Sequence, residues 1–274
     1  MKLHGEAIDM KIVTQVTRIV SLFAKQSKTL ILKFTKDHVY ILAEPEVTDR
    51  SMKLWTEVPQ STLFSHYEIV GVPPDNTIYL KTKAENLMNS LKTATNCRSL
   101  KIKLRQRTTP CLSLEFEQSS QLTTKNRIIY NYIDVEVVYK RFWARYDEPN
   151  LPPPDITVIL PATIQLNSFT AKCRNFVSNL YISATGSREL VFRVKGESLE
   201  ITRKFLNIST DEDGLDLTLS ASVTVDIKRV ANFFKTLHLA AGTQVCLNLT
   251  DERIAHFSFF QDGITVQFVV PHII

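Results

Sequence analysis

The feature that most constrains this chain is a period of two in its apolar residues. Leu215, Leu217, Leu219, Ala221, Val223 and Val225 alternate with polar neighbours, as do Leu100, Ile102 and Leu104. Met52, Leu54, Thr56 and Val58 repeat the pattern, as do Leu112, Leu114 and Phe116, then Leu190, Phe192 and Val194, then Ile264, Val266, Phe268 and Val270. Side chains of a strand point alternately to opposite faces, so these runs predict half-buried strands of antiparallel sheets. Four stretches carry the helical period instead: 10–28 (Ile12, Val16, Ile19, Val20, Phe23), 85–97 (Leu87, Leu91, Ala94), 162–180 (Leu166, Phe169, Cys173, Phe176) and 226–238 (Ile227, Val230, Phe234, Leu237). Asp9 and Asp226 stand where N-caps are expected. The fold class is therefore α+β.

The order of elements repeats. The first half reads strand, helix, four or five strands, helix, then three strands ending near Val138. The second reads strand (156–160), helix, several strands, helix, then three strands ending near Val270. With 274 residues, two copies of about 125 fit the usual size of a domain. Between them, 139–154 carries Pro149, Pro152, Pro153 and Pro154. Prolines lack an amide donor and favour extended chain, so 1–138 and 155–274 are expected as domains and 139–154 as their connector.

Composition sets outer bounds. Hydrophobic residues make up 44% and charged residues 22%, enough for a substantial core, and only 7 glycines argue against a glycine-rich nucleotide cradle. No apolar run approaches the roughly 18 residues that cross a bilayer, and Met1–Glu6 lacks a signal peptide's apolar stretch, so a soluble intracellular protein with no membrane contact is expected. Cys97, Cys111, Cys173 and Cys246 form no C-x-x-C pair and read as reduced thiols. The histidines are scattered, none at i,i+3 or i,i+4. Asp211-Glu212-Asp213-Gly214 is too short for a calcium loop and reads as a hairpin turn. No G-x-S-x-G, H-E-x-x-H or G-x-x-x-x-G-K motif occurs. No catalytic residue, metal or cofactor is implied.

The functional signal lies in the charge of the helices. The stretches 10–28, 86–101, 162–178 and 227–242 hold twelve lysines and arginines and no carboxylate, while the whole chain is only +5. The rest of the chain is therefore net acidic. In the first helix Lys11, Thr14, Arg18, Ser21, Lys25 and Lys28 step by three or four along one stripe. The second offers Asn86, Asn89, Lys92, Thr93 and Asn96, followed by Arg98. The third offers Gln165, Ser168, Lys172, Asn175 and Asn179, and the fourth Lys228, Asn232 and Lys235. An ordinary solvated helix mixes Glu with Lys, because such pairs stabilise it. A cationic and amide face without competing anions is suited to phosphate, and phosphate contacts hold a duplex without reading its sequence.

Several segments also resemble a known family. Glu85-Asn86-Leu87-Met88-Asn89-Ser90-Leu91-Lys92-Thr93-Ala94, then Asn96, Leu100–Leu104 and Pro110-Cys111-Leu112, are similar to the Hus subunit of the nine-one-one checkpoint clamp. Met52-x-x-Trp55 with Phe64, Arg141-Phe142-Trp143 with Glu148-Pro149 and Pro152-x-Pro154-Asp155, and the closing Gln267–Pro271 resemble it too. The similarity is strong over 52–160 and looser beyond, where element order carries it.

That family is related to the replication clamp PCNA. The resemblance implies a PCNA-like sliding clamp of two repeated domains, each with two helices lining the interior of a ring. The ring would be a heterotrimer with the two other checkpoint clamp subunits, closed through paired edge strands and placed on double-stranded and gapped DNA by a checkpoint clamp loader. It would recruit repair enzymes and checkpoint kinase activators in the nucleus. The residues implied to face DNA are Lys11, Arg18, Lys25, Lys28, Lys92, Arg98, Lys172, Lys228 and Lys235. Those implied for a partner-peptide groove at the connector are His38, Val39, Phe142, Trp143, Leu151 and Pro271. A homotrimeric replication clamp shares these features. A DNA-acting enzyme with a basic groove and an adaptor for acidic proteins are the readings from other classes.

Overall fold

The alternating segments are strands and the helical-period segments are helices in the computed structural model, which describes residues 1–44, 52–94, 97–118, 127–148, 150–210, 218–237 and 242–273. The expected turn at 211–214 and the start of the longest alternating run lie outside these residues. Two compact units emerge. The first comprises 1–44, 55–147 and 262–264, the second 45–54, 148–261 and 265–274.

The first unit begins with strand β1 (Lys2–Ala7), helix α1 (Met10–Gln26) and strands β2 (Thr29–Phe34), β3 (His38–Ala43) and β4 (Lys53–Pro59). A single helical turn α2 (Gln60–Leu63), β5 (His66–Val70), β6 (Ile78–Lys83) and helix α3 (Ala84–Lys92) follow. Strands β7 (Cys97–Gln106), β8 (Pro110–Gln118), β9 (Arg127–Asp134) and β10 (Glu136–Val137) end the run. They form an antiparallel sheet of order β5-β1-β7-β8-β9 and a second antiparallel series β10-β6-β2-β3-β4.

In the second unit β11 (Ile156–Ile159), helix α4 (Thr163–Cys173), β12 (Asn179–Thr185), β13 (Glu189–Lys195) and β14 (Glu200–Phe205) lead to β15 (Ser220–Asp226) and helix α5 (Ile227–Thr236). Strands β16 (Val245–Thr250), β17 (Ile254–Gln261) and β18 (Ile264–Pro271) close it. The pairing repeats that of the first unit. The series β15-β12-β13-β14 corresponds to β6-β2-β3-β4, and β11-β16-β17-β18 corresponds to β1-β7-β8-β9.

Burial explains where the helices form. In α1 the side chains of Val13, Val16, Ile19, Val20 and Phe23 are buried, and Asp9 caps the start by accepting the Lys11 amide at 2.9 Å. Many residues of α1 are β-branched and poor helix formers, so burial rather than propensity holds it, at about 1.5–3 kcal/mol per large apolar side chain. Helix α5 is capped in the same way, Asp226 accepting the Lys228 amide at 2.7 Å. Its Phe233 stacks on Phe268 with ring centres 4.7 Å apart and lies 5.6 Å from Phe257.

Two helices are clearly shorter than their sequence periods suggest. The stretch 162–180 is helical only to Cys173, and the chain turns through Phe176, which is 73% exposed, before β12 begins at Asn179. The period there continued only because Phe176 happened to fall in phase. The stretch 85–97 is helical only to Lys92, so Arg98 and Lys101 belong to β7 rather than to a helix.

The expected extended connector also differs. Lys140–Tyr146 is a 3-10 helix belonging to the first unit. Its Trp143 is buried, stacks on Tyr79 at 4.6 Å, and donates from Nε1 to the Val138 carbonyl at 2.9 Å. Tyr146 and Ile31 complete that cluster. The aromatic content of this stretch outweighs its proline-rich continuation.

Phe233→Ala is expected to lower stability by about 3–5 kcal/mol, visible in a urea denaturation midpoint. Trp143→Ala should cost a similar amount, whereas Phe142→Ala, at an exposed site, should cost about 0.5 kcal/mol or less. Equal losses for the two would contradict the placement of Trp143 as an anchor.

Candidate nucleic-acid interface

Helices α1 and α3 pack against each other in the first unit, and α4 and α5 pack against each other in the second. In each case the apolar stripe faces inward, which turns the polar stripe to solvent. All nine cationic residues singled out from the sequence are exposed. They fall into two groups. Lys11, Arg18 and Lys25 stand on α1 with Lys28 just beyond its end, Lys92 on α3 and Arg98 on β7. Lys172 stands on α4, and Lys228 and Lys235 on α5. Among the described residues no ion pair engages the side chains of Lys11, Arg18, Lys25, Lys28, Arg98, Lys172, Lys228 or Lys235.

The remaining basic residues of the same stretches are committed elsewhere. Lys101 lies 3.2 Å from Glu6 on the neighbouring strand β1. Arg174 donates to Asn232 Oδ1 at 3.2 Å, tying α4 to α5. Arg229 lies 3.9 Å from Asp226. Hydroxyls of the α1 stripe are also taken: Thr14 donates to the Met10 carbonyl at 2.7 Å and Ser21 to that of Thr17 at 2.8 Å. The polar groups α1 offers outward are thus mainly ammonium and guanidinium.

The carboxylate depletion is less complete than the four stretches imply. Glu85 is exposed in the first turn of α3. Asp9 and Asp226 flank α1 and α5 but are occupied as caps at the positive helix ends. What remains is an exposed cationic surface on each helix pair, able to attract a polyanion by long-range field and by direct contact to phosphate oxygens.

The residues expected at a peptide groove do not share one environment. Val39 is 4% exposed and faces the core beneath α1, so it is withdrawn from that set. Its period-two partners His38 and Tyr40 occupy the other face, where His38 Nε2 lies 3.4 Å from Glu57. Trp143 is likewise a packing residue rather than an exposed groove lining. Phe142 is exposed beneath the Arg141 guanidinium, 4.8 Å from the ring centre. Leu151 and Pro271 are half-buried and belong to the second unit.

Sequence reasoning did not single out the outermost strands. Strand β9 ends its sheet and exposes Ile128, Tyr130 and Tyr132, the last capped by Arg107 at 3.6 Å. Strand β14 ends its own sheet and exposes Ile201, with Leu199 just before it. Among the described residues neither outer edge pairs with a further strand, so both are templates for a strand from another chain. The period was visible at 128, 130 and 132, but Ile129 and Ile133 are apolar too, so it did not reveal which face was exposed.

Comparison with known proteins agrees with this architecture. A family model described as Hus1-like protein matches residues 1–274. The human checkpoint protein HUS1 is 28% identical over 99% of this chain and 99% of its own length. The fission yeast Schizosaccharomyces pombe checkpoint protein hus1 is 26% identical, covering 78% of this chain and 71% of that protein. Among solved structures, proliferating cellular nuclear antigen from Entamoeba histolytica superposes with a TM-score of 0.73 at 13% identity, over 99% of each chain. PCNA from Thermococcus kodakaraensis gives 0.69 at 14% identity, over 98% of this chain and all of that one. The fold is that of the PCNA-like sliding clamps, and the chain belongs to the Hus1-like protein family.

Proposed function

We propose that this chain is one subunit of a heterotrimeric checkpoint clamp that encircles damaged DNA in the nucleus and serves as a non-catalytic platform. The observation that carries the reading is the exposed, nearly carboxylate-free cationic face on the helix pair of both clamp units. Its physics is that of a sliding contact. Flexible lysines and arginines hold phosphates without reading bases, so many equivalent registers have similar energy and the ring can move along the duplex. Residence comes from enclosure, which requires weak contacts only.

Closure needs partner chains, and the open edges of β9 and β14 with their exposed apolar side chains supply surfaces for them. Edges that meet different chains head to tail close a ring. The partners in this reading are the two other clamp subunits, a clamp loader, double-stranded and gapped DNA, repair enzymes and checkpoint kinase activators. Residues 1–138 and 155–274 act as its two clamp domains. The half-buried His38 and exposed Phe142 of the first unit, and the half-buried Leu151 and Pro271 of the second, are the remaining candidates for peptide docking.

Lys25→Glu combined with Lys92→Glu should leave the fold intact and weaken DNA binding by the assembled ring. Its log–log salt dependence should become shallower by about 0.9 for each phosphate that the ring no longer neutralises. Unchanged affinity at low and moderate salt would contradict the placement of these helices against DNA. Size measurement of the chain alone and co-expressed with its two partners separates the clamp types: a checkpoint subunit forms a closed trimer only with them, whereas a trimer of the chain alone would mark a homotrimeric replication clamp.

A further inference from the structure

Strands β1 and β5 pair so that His4 lies opposite Glu68 and Glu6 opposite His66. Alternate residues share a face, so these side chains stand together on the side away from the buried Leu3, Gly5 and Ala7. One metal-capable atom from each of His4, His66 and Glu68 lies within 4.8 Å of the other two. His66 Nε2 is 3.5 Å from Glu68 Oε1, and the two imidazoles meet edge to face at 5.4 Å.

The surroundings leave these atoms available. His4 Nε2 is buried and makes no hydrogen bond, an unusual state for a buried nitrogen. Lys2 takes only the other carboxylate oxygen of Glu68, Oε2, at 2.8 Å. Two nearby charges are neutralised by neighbours: Glu6 is paired with Lys101 at 3.2 Å, and Lys103, opposite His4 on β7, is paired with Glu115 at 3.3 Å.

We propose that His4, His66 and Glu68 bind one Zn²⁺ ion on the outer face of this sheet, with the fourth position left to water or to a side chain of another molecule. Two imidazoles and one carboxylate form a donor set suited to zinc, whereas calcium and magnesium take oxygen ligands. Zinc bonds of about 2.0–2.2 Å in a tetrahedron place ligand atoms roughly 3.4 Å apart. The His66–Glu68 pair already has that spacing, and side-chain rotation of His4 closes the rest. The site is independent of the clamp reading, because its residues lie on strands and not on the cationic helices.

The test is isothermal titration of the tag-free full-length chain, cleared of metal by chelator, with zinc chloride. The wild-type chain should bind one equivalent, and His66→Ala and Glu68→Gln, both at exposed positions, should each weaken binding by about tenfold or more. Cys246→Ser should bind as wild type does. Absence of stoichiometric binding to the wild type, unchanged affinity in both ligand variants, or loss of binding in Cys246→Ser would overturn the proposal.

Discussion

The structure depends on burying the apolar stripes of α1, α3, α4 and α5. The helices are poorly suited to stand alone: α1 is dense in Ile, Val and Thr, and α4 lacks a side-chain cap. Tertiary burial supplies what propensity does not. That burial fixes the rotation of each helix about its axis. Once Val13, Val20 and Phe23 point inward, Lys11, Arg18 and Lys25 have no direction left but outward. The candidate phosphate surface is thus a geometric consequence of the hydrophobic core.

The same packing sorts the basic residues by role. Outward cations such as Lys11, Arg18 and Lys172 form no ion pair among the described residues, while Lys101, Arg174 and Arg229 are engaged by Glu6, Asn232 and Asp226. These helices forgo most of the Glu–Lys pairs that usually support exposed helices. The capping carboxylates Asp9 and Asp226 recover some of that support without opposing phosphate, because each is bound to backbone amides at a helix start.

The duplicated topology gives each unit a helix pair carrying cations, while the terminal strands with exposed apolar side chains, β9 and β14, stand at non-equivalent positions of the repeat. Membership of the Hus1-like family and the clamp fold rest on the whole chain rather than on any one motif. The sheet face bearing His4, His66 and Glu68 lies outside these surfaces, and nothing in the clamp function requires its donor set. A metal there would add a contact chemistry that the helices lack.

The sequence by itself determined the element types, their repeat and the depletion of carboxylates around the helices, because periodicity and local charge are properties of neighbouring residues. Tertiary structure alone decided which face of a strand is buried when both parities are apolar, as at Ile128–Ile133, and where a helical period stops, as at Cys173. It alone showed Val39 facing the core and turned Trp143 from a groove candidate into an anchor on Tyr79. It also brought together histidines more than sixty positions apart, since His4 and His66 meet only through the register of β1 with β5. Local spacing carries no record of strand pairing, so contacts made between distant segments are fixed only when the chain folds.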